Sequence, residues 1–294
     1  MRTLFTLAAL GLFAAPVAAA DPVNLKWSLK EGDSFYATTT QDIDQNIKVM
    51  GQTVNQKMTT TTVARFDVKS TKAGAMKIEM TYTKVTMEGL PGDGAAVAKL
   101  TERFKGAALA ATFDKGFNIT KLDGYDKFLD KLSDGDDMLR KIFDAMMPEN
   151  AVRMLFTQVF VSPPTDKTAA GDKWTRTDKV PLSGLGDLTN KTTYTVEGVK
   201  NDVATIKTTA DVVLKAGEAN PALPFKIVKA DMKSDDVKGT ILFDTKTGRL
   251  KSSSTTMKLK GSMTIEVMNQ EVDTEIDQKA ITKVEITEKN PVKD

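Results

Sequence analysis

The sequence predicts an α+β protein: a large curved antiparallel β-sheet, continuous or built from two related halves, with three to four helices packed on one face. Three observations carry that expectation. Period-2 alternation fills the chain on both sides of a middle segment, whereas helical spacing is confined to that middle. The strands are one-sided, with an apolar, Met-bearing face and a face of Thr, Lys, Asp and Gln. An antiparallel sheet with one wet face produces this pattern, while buried parallel strands read as unbroken Val/Ile runs.

Taken in order, Val23, Leu25, Trp27 and Leu29 predict a first strand ending at Glu31-Gly32-Asp33. From Phe35 to Val49 the odd positions carry Phe35, Ala37, Ile43, Ile47 and Val49, and the even positions are polar. Met50-Gly51-Gln52 reads as a hairpin tip, with a return strand bearing Val54, Met58, Ala64, Phe66 and Val68. Lys72-Ala73-Gly74 turns into a strand with Met76, Ile78, Met80 and Tyr82, and the change of phase to Val85 and Met87 predicts a bulge.

Val97, Leu100 and Phe104 then share a helical face that stops at Gly106. Two short strands flank the turn Asp114-Lys115-Gly116. Asp123 is placed to cap a helix carrying Tyr125, Phe128, Leu129 and Leu132. The next helix carries Met138, Leu139, Ile142, Phe143, Met146 and Met147. Pro148 opens the last one, with Val152, Leu155, Phe156, Val159 and Phe160 on its face and Ser162-Pro163-Pro164 after it. Strands resume at 173–177, 191–200, 203–214, 225–232, 237–243, 249–267 and 272–287, with Asp235-Asp236 in a turn and Met268-Asn269-Gln270 at a hairpin tip. Residues 289–294 read as a frayed tail.

The first twenty residues have the grammar of a signal peptide. Arg2 precedes an uncharged run from Leu4 to Val17, and small residues at Ala18 and Ala20 set up cleavage before Asp21. The expected organisation is therefore a leader over 1–20 and one β-rich domain over 21–294, with candidate halves 21–125 and 171–288 joined by a helical segment, 124–161. The expected address is bacterial, in the periplasm or outside the cell. No later apolar run approaches the roughly 18 residues of a spanning helix. Loss of Arg2 takes the formal charge from +2 to +1, and the charges alternate rather than cluster, which argues against nucleic acid as a partner.

Two absences narrow the chemistry. Without cysteine the chain folds without disulfides and has no lipobox for a lipid anchor. Without histidine it has no Ser-His-Asp or Cys-His machinery and no His-ligated zinc. Carboxylate, Ser-Lys or Thr chemistry and oxygen-ligated cations remain open. The commonest general base is missing, so the expectation is a protein that is not an enzyme and needs no cofactor.

Certain signatures recur. Gly32-Asp33-Ser34-Phe35 is echoed by Gly171-Asp172-Lys173-Trp174, and Phe113-Asp114-Lys115-Gly116 by Phe243-Asp244-Thr245-Lys246-Thr247-Gly248, at nearly the same interval. Thr62-Val63 to Met76-Lys77-Ile78 also resembles Thr195-Val196 to Ala204-Thr205-Ile206. Duplication accounts for this, and so does generic turn chemistry. With the Met- and Thr-rich hairpin from Tyr36 to Asp67, and Phe243 to Leu250, the chain resembles an uncharacterised family of exported bacterial proteins. That family brings no activity and no functional residues. At the level of fold alone it is similar to the periplasmic lipoprotein-carrier half-barrels, in which a curved sheet covered by helices encloses an apolar cavity.

Few residues present themselves as a site. Asp134-Gly135-Asp136-Asp137 begins like a calcium loop, but position 12 is Ala145 where a bidentate Glu is required, leaving a polar turn before a helix. Glu271, Asp273, Glu275 and Asp277 alternate on one strand and read as a solvated face opposite Lys258 and Lys260. Methionine is the sharper signal, because its flexible thioether suits surfaces that re-pack around a ligand. An ordinary core explains the same residues. If a pocket lies between sheet and helices, Met138, Ile142, Met146, Leu155, Phe156, Met257 and Met263 are the residues expected to line it. The expected partner is an apolar or amphipathic envelope ligand, such as a lipid or lipoprotein. An envelope interaction module is the competing expectation, and a carboxylate enzyme the third.

Overall fold

The computed structural model describes residues 22–72, 74–90, 94–161, 164, 167–182, 186–218, 220, 223 and 225–292. The expected leader, the turn residue Ala73, Ser162-Pro163 and the last two residues of the tail lie outside them. Three strands, β1 (Ser34–Val49), β2 (Gln52–Lys72) and β3 (Ala75–Glu88), lead to helix α1 (Gly94–Phe104). Strands β4 (Ala108–Phe113) and β5 (Ile119–Asp123) precede the helices α2 (Tyr125–Ser133), α3 (Asp137–Met146) and α4 (Glu149–Thr157). The chain then returns through β6 (Lys173–Leu182), β7 (Gly186–Lys200), β8 (Val203–Lys215), β9 (Lys226–Asp244), β10 (Arg249–Val267) and β11 (Gln270–Thr287).

All eleven strands form one open antiparallel sheet in the order β5-β4-β3-β2-β1-β11-β10-β9-β8-β7-β6. The two ends of the chain therefore pair in the middle, β1 against β11, while β5 and β6 form the outer edges. Three hairpins turn on two residues with positive φ: Met50-Gly51, Asn201-Asp202 and Met268-Asn269. Turns of this hand match the right-handed strand twist, so long strands stay in register beyond them. The register shift opposite Tyr82 and Lys84 is the bulge announced by the change of phase in β3.

Two expectations are corrected. Residues 22–33 are not a strand, apart from a single bridge from Val23 to Thr168. Their alternation serves burial instead: Leu25 and Trp27 enter the core as the segment crosses the end of the sheet, and Trp27 Nε1 donates to the Val161 carbonyl at 3.1 Å. Asp235-Asp236 is not a turn between strands either. It is a bulge within continuous β9, where register shifts against β10 between Lys258 and Leu259. The extra residue moves the buried set from Val237 and Ile241 to Ala230 and Met232 without breaking the strand. A smaller difference concerns α2, whose N-cap is Gly124 rather than Asp123.

The core occupies one end of the inner face. Phe160 is wholly buried, its ring near those of Trp27 (4.9 Å), Phe113 (5.1 Å) and Phe66 (5.6 Å). Helix α2 buries Phe128, Leu129 and Leu132 below β4, and α4 buries Val152 and Phe156. Helix α4 touches both β5 and β6, and Arg153 Nη1 donates to the Ile119 carbonyl on β5 at 3.2 Å. Both edges of the sheet thus reach the same helix, which requires the sheet to curl around it.

Equivalent bonding recurs in the two parts of the sheet. Gly32 N donates to Val68 O and Val68 N to Asp33 O, while Gly171 N donates to Val196 O and Val196 N to Asp172 O. The carboxylates of Asp33 and Asp172 each accept from the amide three residues earlier. Register shifts follow Val68 and Val196, and the cross-strand rings Phe35–Phe66 and Trp174–Tyr194 stack at 5.2 and 4.9 Å. Asp114 and Asp244 each accept two backbone amides within the turn that follows.

Candidate binding site

Above the packed end, the inner face of β7–β11 is not filled by side chains. A cavity of about 250 Å³ lies between this face and the C-terminal end of α4, where Thr157, Gln158 and Val161 form its roof. Its floor follows from strand register. One row, Tyr194, Thr208, Gly239, Thr255 and Thr282, runs straight across five strands. A Cβ at Gly239 would meet the hydroxyl oxygens of Thr208 and Thr255, so glycine is what lets these two threonines close over β9. The next row is apolar, with Val237, Met257 and Ala280 in line, and Ala210 and Val212 beside them. The cavity is therefore lined by hydroxyls on one side and hydrocarbon on the other. Burial pushes the Tyr194 phenol up from its ordinary value.

A second cleft of about 280 Å³ adjoins it, between α4 and the edge strand β6. Arg153 on α4 and Arg176, Asp178 and Lys179 on β6 line it, together with Asn150 and Asn190. Arg176 Nε donates to Asp178 at 2.8 Å, a pair that lies two residues apart on one strand face. Thr157 and Asn190 belong to both spaces and mark where they meet.

Of the seven residues expected to line a pocket, Met257 lines this cavity. Met263 lies further along the inner face of β10, paired with Thr274 and Ala230. Phe156 is fully buried against Phe66 and Phe113, and Leu155 packs against the same core. Ile142 is half-buried on α3, and Met138 and Met146 point to solvent, 73% and 51% exposed. The reason is that α3 docks on α2. Arg140 binds Asp130 at 2.6 Å and Asp126 at 2.9 Å, and Tyr125 donates to Asp144 at 2.8 Å. Tyr194, Thr208, Thr255, Thr282, Ala210 and Val237 were not singled out from the sequence. The available signal was Thr and Ala at positions that alternation assigns to the apolar face.

The acidic strand face is solvated: Lys48 reaches Glu275 at 3.4 Å and Lys260 reaches Asp277 at 3.5 Å. Asp136 caps α3 through the amides of Met138 and Leu139. Among the described residues no group of three or more Asp or Glu is placed to hold a metal ion, and no helix is long and apolar enough to cross a membrane.

Comparison with known proteins adds a family. The profile of a family of unknown function, DUF6263, matches residues 60–250. No curated protein matches the chain. Among solved structures, one titled for lipid–protein interactions in lipovitellin aligns with 91% of this chain at 10% identity and a TM-score of 0.40. The chain spans 26% of that protein. OccK11 of Pseudomonas aeruginosa aligns with 88% of this chain and 98% of its own, at 7% identity and a TM-score of 0.23. A porin of Rh. blastica aligns with 86% and 99%, at 6% identity and a TM-score of 0.23. Scores this low carry no argument about fold or ligand.

Proposed function

The chain belongs to the DUF6263 family, and we propose that it is an exported, non-catalytic binding protein of the bacterial envelope. Its ligand is apolar or amphipathic, a lipid or the lipid-bearing part of a lipoprotein, held between α4 and the inner face of β7–β11. The observation that carries this reading is the unfilled cavity beneath α4, in a sheet whose other end is packed solid with aromatic rings. Apolar walls with a few convergent polar groups are what small-molecule sites require.

Duplication gives the cavity a reason. If β1–β5 and β6–β10 are related halves, as the shared Gly-Asp bonds and bulges support, the first half's inner face is covered by α1 and α2. Among the described residues no comparable helix covers the second. The space over β7–β10 is then what remains when, among these residues, α4 alone covers the second half. Purification under mild conditions followed by native mass spectrometry and solvent extraction tests the reading. A co-purifying lipid supports it, and a protein that stays empty when offered envelope lipids overturns it.

A structural or protein-interaction role is the second reading. Among the described residues strand β6 pairs with β7 alone along its ten residues, which leaves an edge that a partner strand can extend. Capture of a defined envelope protein, lost on substituting Pro along that edge, is the result it requires.

A further inference from the structure

We infer that the ligand is a single-chain amphiphile with an anionic head, its chain in the cavity under α4 and its head in the cleft beside Arg176. This rests on the binding reading above and adds the ligand's chemistry and orientation.

Size decides the first step. Neither space alone reaches the roughly 300–1,000 Å³ usual for a ligand site, whereas the two together do. Thr157 and Asn190 border both, which places the two spaces side by side within reach of one extended molecule. Polarity decides the second. The cavity presents Val212, Val237, Met257 and Ala280, and no ionisable side chain other than the Tyr194 phenol. The cleft presents two guanidiniums, Arg153 paired with Glu149 and Arg176 paired with Asp178. A head that takes the place of Asp178 on Arg176 is itself anionic, so a molecule that spans both spaces is apolar at one end and anionic at the other.

The cations are set for this task. The Arg176 and Arg153 side chains are only 20% and 29% exposed, so their field is less screened than that of a surface lysine. A planar guanidinium matches the two oxygens of a carboxylate or phosphate. Arg153 pairs with Glu149 one turn earlier on α4 at 2.7 Å and ties the helix to β5 through the Ile119 carbonyl. Arg176 stands on the edge strand opposite, bound by Asp178, and the incoming head competes with that carboxylate. Asp178 thus sets a threshold that favours a full negative charge over a merely polar head.

The test compares decanoate, decyl phosphate, decan-1-ol and decyltrimethylammonium, all below micelle formation, by displacement of a neutral fluorescent probe. The anions are expected to bind about tenfold more tightly than decanol, the scale of one charge-assisted contact, and the cation more weakly than decanol. Arg176→Gln should bring decanoate and decanol within about threefold by weakening decanoate alone, Arg176→Lys should retain most of the preference, and Asp178→Asn should strengthen decanoate. The Asp178 variant keeps the test alive if the Gln variant does not fold. Equal binding of decanol and decanoate, or a preference that survives Arg176→Gln, overturns the inference and leaves the binding reading standing. Inorganic phosphate or acetate binding as tightly as decanoate also overturns it, since the head alone would then suffice. Failure of every decyl compound to bind overturns the binding reading and this one together.

Discussion

Ala210→Leu probes the cavity directly. Ala210 lies on the inner face of β8, lines the cavity and is half-buried. Leucine adds three carbons, and a buried CH₂ contributes about 0.8 kcal/mol. Full burial would therefore stabilise by about 2.4 kcal/mol. The cavity is not closed off from solvent, so burial is partial and a gain of about 1 kcal/mol is the expected result. If the space were already occupied by side chains, the same substitution would overpack the site and cost about 1–3 kcal/mol. The two outcomes differ in sign. Urea unfolding followed by tryptophan fluorescence reads this as a shift of the midpoint at unchanged slope. Thr209→Leu, one residue away on the exposed outer face, is the control and should stay within about 0.5 kcal/mol. Ala210→Leu should also abolish decanol binding. A variant that is destabilised by more than 1 kcal/mol, with Thr209→Leu silent, refutes the empty space.

Three further outcomes follow from the structure. Trp27→Ala removes a buried ring that touches Phe117, Phe160 and Phe243, and should cost about 3–5 kcal/mol in the same unfolding assay; a cost below 1 kcal/mol would mean the segment over residues 22–33 is not part of the core. Asp114 and Asp244 are both held below the usual carboxylate range, chiefly by the backbone amides of Asn118 and Thr247 respectively. Their contribution is therefore full above about pH 4, the unfolded value, and is lost as pH falls through the lower folded value. The double variant Asp114→Ala/Asp244→Ala should lose less stability than the parent between pH 6 and pH 2.5, and an identical pH dependence would contradict the assignment. Met268 sits at a hairpin tip with φ 50° and is 92% exposed. Asparagine tolerates that conformation better, so Met268→Asn should raise stability by about 0.5 kcal/mol, checked by calorimetry.

Most of the sheet could be read along the chain, because alternation is a local property. The tips at Met50 and Met268, the bulge beyond Tyr82 and the three helices after β5 all follow from spacing over a few residues. Val23 to Leu29 alternates just as well and is not a strand, since the pattern records which side is buried and not whether a partner strand lies alongside. Asp235-Asp236 looks like a turn because a bulge and a turn both interrupt the phase. The cavity was out of reach for a different reason. Its lining comes from five strands and one helix, and which rows meet α4 depends on how the sheet curls. Met138 and Met146 share a helical stripe with Leu139 and Phe143, and spacing alone does not say that Arg140 and Tyr125 turn α3 so that the first two face water.

The methionines offer the most direct measurement of whether a ligand occupies this space. With ¹³C-methyl methionine labelling, titration with decanoate should shift the Met257 resonance while those of Met138 and Met146 stay in place. Movement of the α3 methyls with Met257 unchanged, or no movement at saturating ligand, would contradict binding beneath α4.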